Sequence, residues 1–178
     1  MHFIGESTNC FRILEYRIIW KIIQKKGSGL GINSIFIPEC FRVDVKYRSD
    51  KDSLGPVKIP ADAYYGPFTG RAIKQYNVTG RPSHRNLIKS FVMIKRSAAV
   101  ANMKTKAINK KQGTAIVKAC DKILSGKHID QFVVDMVNSG AGTAFNMNTN
   151  EVITNVALKG LGKKQGQYEF LHPNDHVN

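Results

Sequence analysis

The densest chemical signal in this 178-residue sequence is the run Asn138-Ser139-Gly140-Ala141-Gly142-Thr143-Ala144-Phe145-Asn146-Met147-Asn148-Thr149-Asn150-Glu151. A loop of small residues leads into three asparagines at alternate positions. Glycines let the backbone approach a ligand closely and adopt positive φ, so that its amides point inward as donors. The helix predicted to follow starts among asparagines able to cap it, and its N-terminus adds partial positive charge. Such a site suits an anion. The run has no Lys and no GxxxxGK spacing, so it is no phosphate loop; a carboxylate held by the Thr143 hydroxyl and backbone N–H groups is the better match. A capped turn whose buried asparagines tie backbone together accounts for the same residues equally well.

A second dense run closes the sequence: Leu171-His172-Pro173-Asn174-Asp175-His176-Val177-Asn178. Two histidines and an aspartate within five residues are able to ligate a metal or shuttle protons. The Pro between them predicts a turn, however, and the spacing matches no metal motif. A supporting or structural role is favoured, and no metal site is predicted. Cys10, Cys40 and Cys120 are odd in number and widely spaced, which suggests neither a disulfide framework nor a CxxC site and fits a reducing, cytoplasmic compartment. Cys120, inside the apolar stretch Ala115–Leu124, reads as a core residue. No stretch approaches the ~20 apolar residues that span a bilayer.

These runs need elements to hold them. Val43, Val45 and Tyr47 alternate with Asp44, Lys46 and Arg48, then Asp52-Ser53-Leu54-Gly55-Pro56 turns the chain before Val57-Lys58-Ile59, which predicts a small hairpin or extended arm. After the turn-rich Tyr64-Tyr65-Gly66-Pro67, three helices are predicted. The first, over 85–104, places Leu87, Phe91, Ile94, Ala98 and Ala101 on one stripe, with Ile88 and Val92 beside it. The second, over 110–125, presents Ile116, Cys120, Ile123 and Leu124, with Gly126 placed to cap its end. The third, over 149–161, presents Val152, Val156 and Leu161 around Ile153 and Ala157. Residues 1–40 give no confident element, because the charges of Phe11–Lys26 fall among its apolar residues. They are taken as an extension of unknown role, with one domain over 41–178.

Composition excludes some classes. With 42% hydrophobic residues the chain is too apolar to be disordered. The net charge of +14 raises an anionic partner. Residues 51–135 hold 16 basic and 5 acidic side chains, whereas 136–178 hold 3 of each, so the surplus lies on the helical middle and not on the two dense runs. The lysines there are spread through helical sequence with no zinc spacing, basic zipper or aromatic strand motif. A solvated helix face is favoured over a nucleic-acid surface.

Five landmarks appear in family order: Asp52-Ser53-Leu54-Gly55, Ile59-Pro60-Ala61-Asp62-Ala63-Tyr64-Tyr65-Gly66, Thr69-Gly70-Arg71-Ala72, Gly140-Ala141-Gly142-Thr143 with Asn146-Met147-Asn148-Thr149-Asn150-Glu151-Val152, and His172-Pro173-Asn174-Asp175-His176-Val177-Asn178. Over residues 42–178 the chain resembles the N-terminal domain of the aspartase/fumarase superfamily. Ala141 and Lys164-Gln165-Gly166-Gln167-Tyr168 look more like the aspartate ammonia-lyases than the fumarases. The resemblance implies a mainly α fold with a small β-hairpin. It also implies a fumarate-forming elimination from a C4 dicarboxylate, with no cofactor and within a homotetramer. Donors aimed at carboxylate oxygens would then stabilise the charge that develops in the reaction.

By the same resemblance Thr143, Gly142 and Ala141, with Arg71, Asn146 and Asn148, are substrate-binding candidates. His172, Asn174 and Asp175 match a segment that forms a secondary carboxylate site in fumarases. The family's later segments, an SxSTND-like stretch, the central helix bundle and the loop with the catalytic Ser, do not occur in this sequence. The expectation is therefore a truncated chain with no catalytic Ser and no turnover of its own. Phe145, where a small or polar residue is usual, and Pro67-Phe68 depart from the pattern. A fumarate hydratase domain and a basic non-catalytic binding module are the alternative readings.

Overall fold

The computed structural model describes residues 45–178. The expectations for residues 1–40, including Phe11–Lys26, Cys10 and Cys40, lie outside the described residues, as does Val43. Over the rest the fold is mainly helical, with one two-stranded sheet.

Strand β1 (Tyr47–Asp52) pairs antiparallel with β2 (Gly55–Pro60), Tyr47 facing Pro60 and Asp52 facing Gly55. Gly55 closes the turn at φ +107°, a conformation that favours glycine. The predicted hairpin is present, with Val57 and Ile59 of β2 buried, but the phase of β1 is reversed. Val45 and Tyr47 are exposed, while Asp50 is 6% exposed and Arg48 is half-buried. Charge can face inward here because it is saturated with partners. The Arg48 guanidinium donates to both carboxylate oxygens of Asp50 and to the carbonyls of Pro60, Ala63 and Tyr65. It thereby fixes the path of 60–65.

Four helices follow. Helix α1 (Pro67–Gln75) was not expected; Pro67 at its first position was the available signal, since proline fits there and nowhere deeper in a helix. Helix α2 (Arg85–Lys104) and α3 (Lys110–Leu124) lie where the sequence predicts them. The buried row of α2 is Ile88, Val92, Lys95 and Ala99, one residue round from the expected stripe, and Leu87 and Ile94 are exposed. Helix α4 (Thr143–Gly160) begins six residues before the expected start at Thr149 and absorbs all three asparagines of the signature. It is not amphipathic: every residue from Asn148 to Leu158 is buried. Helices α2, α3 and α4 share one core of Ile88, Val92, Ile116, Cys120, Ile123, Val152 and Ile153, closed by Leu171 and Val177. Burial pushes the Cys120 thiol up to about 12, so it behaves as core.

A helix buried all round must satisfy its own polar side chains. Asn148, Asn155 and Glu151 do so by addressing the backbone of the segments that surround α4, whereas Asn150 Oδ1 and Thr154 Oγ1 have no partner among the described residues. Asn148 accepts from Val133 N and donates to the Gln131 carbonyl, both at 3.1 Å. Asn155 donates to the Tyr64 carbonyl and accepts from Gly166 N, each at 2.9 Å. Glu151, 2% exposed, accepts from the backbone N–H groups of Gly66, Phe68 and Thr69 at 2.9–3.0 Å. These are the orphan donors of the first turn of α1, where an anion also meets the helix dipole. Burial pushes the Glu151 carboxyl above its ordinary range, against the pull of those donors.

A further buried carboxylate organises the approach to the signature. Asp135 accepts from Thr79 N, Thr79 Oγ1, Gly80 N and Val137 N at 2.7–2.9 Å. Burial pushes its carboxyl up, but the four donors outweigh burial and hold it at about 2, below the ordinary 3.8.

Three outcomes are expected. Gly66 has ordinary extended backbone, yet a methyl there would lie 2.8 Å from Glu151 Oε1 and closer still to the Tyr168 hydroxyl. Gly66→Ala should cost about 1–3 kcal/mol in urea denaturation, and Tyr168→Phe in the same chain should recover part of it. Glu151→Gln, which sets an NH2 against one backbone donor, should cost about 1–3 kcal/mol, and Glu151→Ala more. For Asp135 the folded value lies below the unfolded one. Its stabilising contribution is therefore present above the ordinary 3.8 and is lost as pH falls toward 2. Melting curves of Asp135→Asn should lack that acid-dependent component.

Candidate carboxylate-binding site

The signature loop hangs between two fixed points. Asn138 donates to the Asp135 carbonyl at 2.8 Å, and Gly142 N donates to the Ser139 carbonyl at 2.9 Å, closing a tight turn. Gly142 then takes φ +70° as the N-cap of α4. No asparagine caps this helix, contrary to expectation, because Asn146, Asn148 and Asn150 all lie within it. A glycine cap has no side-chain acceptor. Among the described residues nothing accepts from the N–H groups of Thr143, Ala144 and Phe145, and the first helical bond runs from Asn146 N to the Gly142 carbonyl. Ala141 and Thr143 are exposed beside them, whereas Ala144 is packed with Ala72 and Val134. The resulting feature is an open helix start with a hydroxyl at its lip, able to receive a carboxylate.

The departure Phe145 packs at the edge of that same small cluster, together with Phe68 and Tyr76. It also lines a small gap with Leu87, Ile88, Phe91 and Phe132. The loop residues themselves carry no charge.

One turn into α4 the two dense runs of the sequence meet. Asn178 Oδ1 accepts from Asn146 Nδ2 at 3.0 Å, from Asn150 Nδ2 at 3.2 Å and from Lys95 Nζ at 3.0 Å. The meeting is arranged by a π-helical turn over Pro173–Val177, in which Val177 is buried against the core and Asn178 N donates back to the Pro173 carbonyl. Lys95 is 8% exposed, and burial lowers the proton affinity of its ammonium. Its position was readable: Ile88, Val92, Lys95 and Ala99 follow the i, i+4, i+7, i+11 row of a buried helix face. A lysine in that row disguised it.

The other expected site residues sit elsewhere. Arg71 donates to both oxygens of Asp52 and to the Gly55 carbonyl at 3.1 Å, which ties α1 to the hairpin turn and holds the Asp52 carboxyl below its usual range. It lines a groove with Pro56, Lys58 and Lys74 that includes none of the loop residues. Asn148 is consumed by the 131–133 backbone. His172 caps the terminal turn, its Nδ1 3.3 Å from Asn174 N and 3.2 Å from Asp175 Oδ2, and His172 N donates to His176 Nδ1. The Lys164–Tyr168 segment packs over α4: Gln165 reaches the Ala63 carbonyl, and Gly166 lies against Asp50 and Asn155. Among the described residues no group of three His, Cys, Asp or Glu is placed to hold a metal ion.

Comparison with known proteins agrees with this architecture. A model of a lyase family matches residues 55–178. An aspartate ammonia-lyase of a Bacillus species is 50% identical over 131 residues, and that of Escherichia coli K12 is 45% identical over 134; each match covers 74% of this chain and 28% of the relative. The chain thus spans under a third of the length of these relatives. Among solved structures, a fumarate lyase:delta crystallin of Brucella melitensis superposes with a TM-score of 0.73 at 44% identity, over 75% of this chain and 29% of that one. A class II fumarase of Schistosoma mansoni gives 0.70 at 37% identity, over 75% and 28%. With a helical domain of this shape, an open helix start in its signature loop and relatives at this level of identity, the chain belongs to the aspartase/fumarase family of lyases.

Proposed function

We propose that the chain is the amino-terminal domain of an aspartate ammonia-lyase, which interconverts L-aspartate with fumarate and ammonia, and that it supplies a carboxylate-binding loop to that reaction. The observation that carries the reading is the identity of 45–50% to aspartate ammonia-lyases over 74% of the chain, with the lyase family model matching residues 55–178, the loop included. In this reading Gly142 presents the N–H groups of the α4 start, Ala141 leaves room, and Thr143 Oγ1 donates to one substrate carboxylate. Asn146, steered by Asn178, borders the same opening. Such donors gain strength as charge builds on the carboxylate during proton abstraction. Arg71 and Asn148 support the site through the hairpin and the 131–133 segment, and His172, Asn174 and Asp175 through the terminal turn.

The reading extends to a cytoplasmic enzyme assembled as a homotetramer, with the proton-abstracting group outside the described residues. No helix among those residues is long and apolar enough to cross a membrane. The likeness to a class II fumarase keeps malate formation as the second reading.

Three measurements test the proposal. The purified 178-residue chain should give no rise in fumarate absorbance with L-aspartate, and steady turnover would overturn the view that it acts only as one part of a site. Succinate titrated into labelled chain should shift the amide resonances of residues 142–146, and Thr143→Val should weaken that binding roughly tenfold, the worth of one hydrogen bond to a charged group. Grafting residues 45–178 in place of the matching segment of the Bacillus enzyme should give ammonia release from aspartate; malate formation from fumarate instead would select the hydratase reading.

A further inference from the structure

Helices α3 and α4 leave a groove of about 560 Å³ between them that the lyase reading does not use. Its rim on α3 carries Lys110, Lys111, Lys118 and Lys122, all exposed. No acidic residue lines it, and the one acid of α3, Asp121, is already paired with Arg96 at 2.6 Å. The floor is shallow. It is made of Ala115 and Ala119 on α3 and Val156, Ala157 and Gly160 on α4, with Leu161 at its end, and a methyl added at Gly160 would meet nothing within 4 Å.

The occupant must be anionic, and three features decide its class. A small anion is held by donors that converge and are fixed in place, whereas no hydrogen bond or ion pair among the described residues fixes any of these four ammonium groups. A single-stranded nucleic acid needs faces on which to stack, and neither an aromatic residue nor an arginine lines the groove. A helix meets the remaining geometry. From Lys110 to Lys122 the rim runs roughly 18 Å at 1.5 Å per residue, about three turns, and Lys110, Lys118 and Lys122 stand on one i, i+4 ridge with Thr114 between them. Along its floor the alanines and Gly160 let a third backbone approach closely.

We propose that this groove docks an acidic amphipathic helix of a protein partner, its small apolar face on Ala115, Ala119 and Gly160 and its Glu or Asp residues, three to four apart, on the lysine rim. The docking is independent of the loop at the start of α4.

The test is fluorescence anisotropy of the full chain with a labelled peptide of about four turns, carrying glutamates at i, i+4 and i+7 and alanines on the face next to them. A scrambled peptide of the same composition and a single-stranded oligonucleotide serve as competitors. The ordered peptide should bind at least roughly tenfold more tightly than the scrambled one. The Lys118→Glu/Lys122→Glu chain should lose that affinity, and Gly160→Leu should lose it without any change of charge, both with melting temperatures near that of the parent chain. Absence of binding, equal binding of the scrambled peptide, or indifference to both variants overturns the proposal. Stronger binding of the oligonucleotide, sensitive to the same lysines, overturns it in favour of a nucleic-acid surface.

Discussion

The rest of the structure depends on one carboxylate. Glu151 sits in the fully buried stretch of α4 and closes the first turn of another helix through three backbone donors. Moving a carboxylate out of water is costly, and the cost is offset only where hydrogen bonds and a favourable field await it. That requirement fixes the distance and orientation between α1 and α4. It also explains Gly66, whose missing side chain leaves room for Glu151 and the Tyr168 hydroxyl. Once α1 is placed, Gly70 rests against Ile59 of the hairpin, where a methyl would come within 2.5 Å of Ile59 Cδ1. Arg71 then reaches Asp52 on the other side of the same turn.

The two helix starts, α1 and α4, use the same physics to opposite ends. At α1 the chain supplies its own carboxylate and the donors are spent. At α4 the cap is a glycine in the left-handed region, which brings no acceptor and so leaves the donors available. Ala144 buried just behind the opening keeps the helix seated, while the exposed Ala141 and Thr143 form its rim. An external carboxylate at α4 would be held much as Glu151 is held at α1.

Much of the frame was legible because it rests on local rules. Asn109 and His84 accept from backbone N–H groups at the starts of α3 and α2, and these helices lie where the sequence predicts them. The failures share a cause, which is that the deciding partner is distant in sequence. Asn146, Asn148 and Asn150 look like loop residues until Asn178 and the 131–133 backbone are brought to them, 15 to 32 residues away. Arg48 and Asp50 look like the wet face of a strand until the carbonyls of 60–65 fold over the guanidinium. On the strand, polarity is the usual sign of exposure and saturation by distant backbone reverses it, whereas the asparagines are buried as one of the two readings expects but within a helix instead of a turn. The signature was therefore readable as a signature, while its division into loop and helix was not.

The same reasoning separates the charge of this protein from its chemistry. The basic surplus lies on α2, α3 and the segments around them, where most lysines are exposed and screened within a Debye length of about 8 Å at physiological salt. Toward a small anion, long-range attraction is what such charges provide. Selection between a carboxylate and any other anion needs donors at fixed angles and hydrogen-bond distance, which a mobile lysine does not give and a helix start does. Lys95 is the exception that supports the rule, because burial and the Asn178 oxygen hold its ammonium in one place. Its effect on the site passes through Asn178 to Asn146, as orientation, and not as a free positive charge.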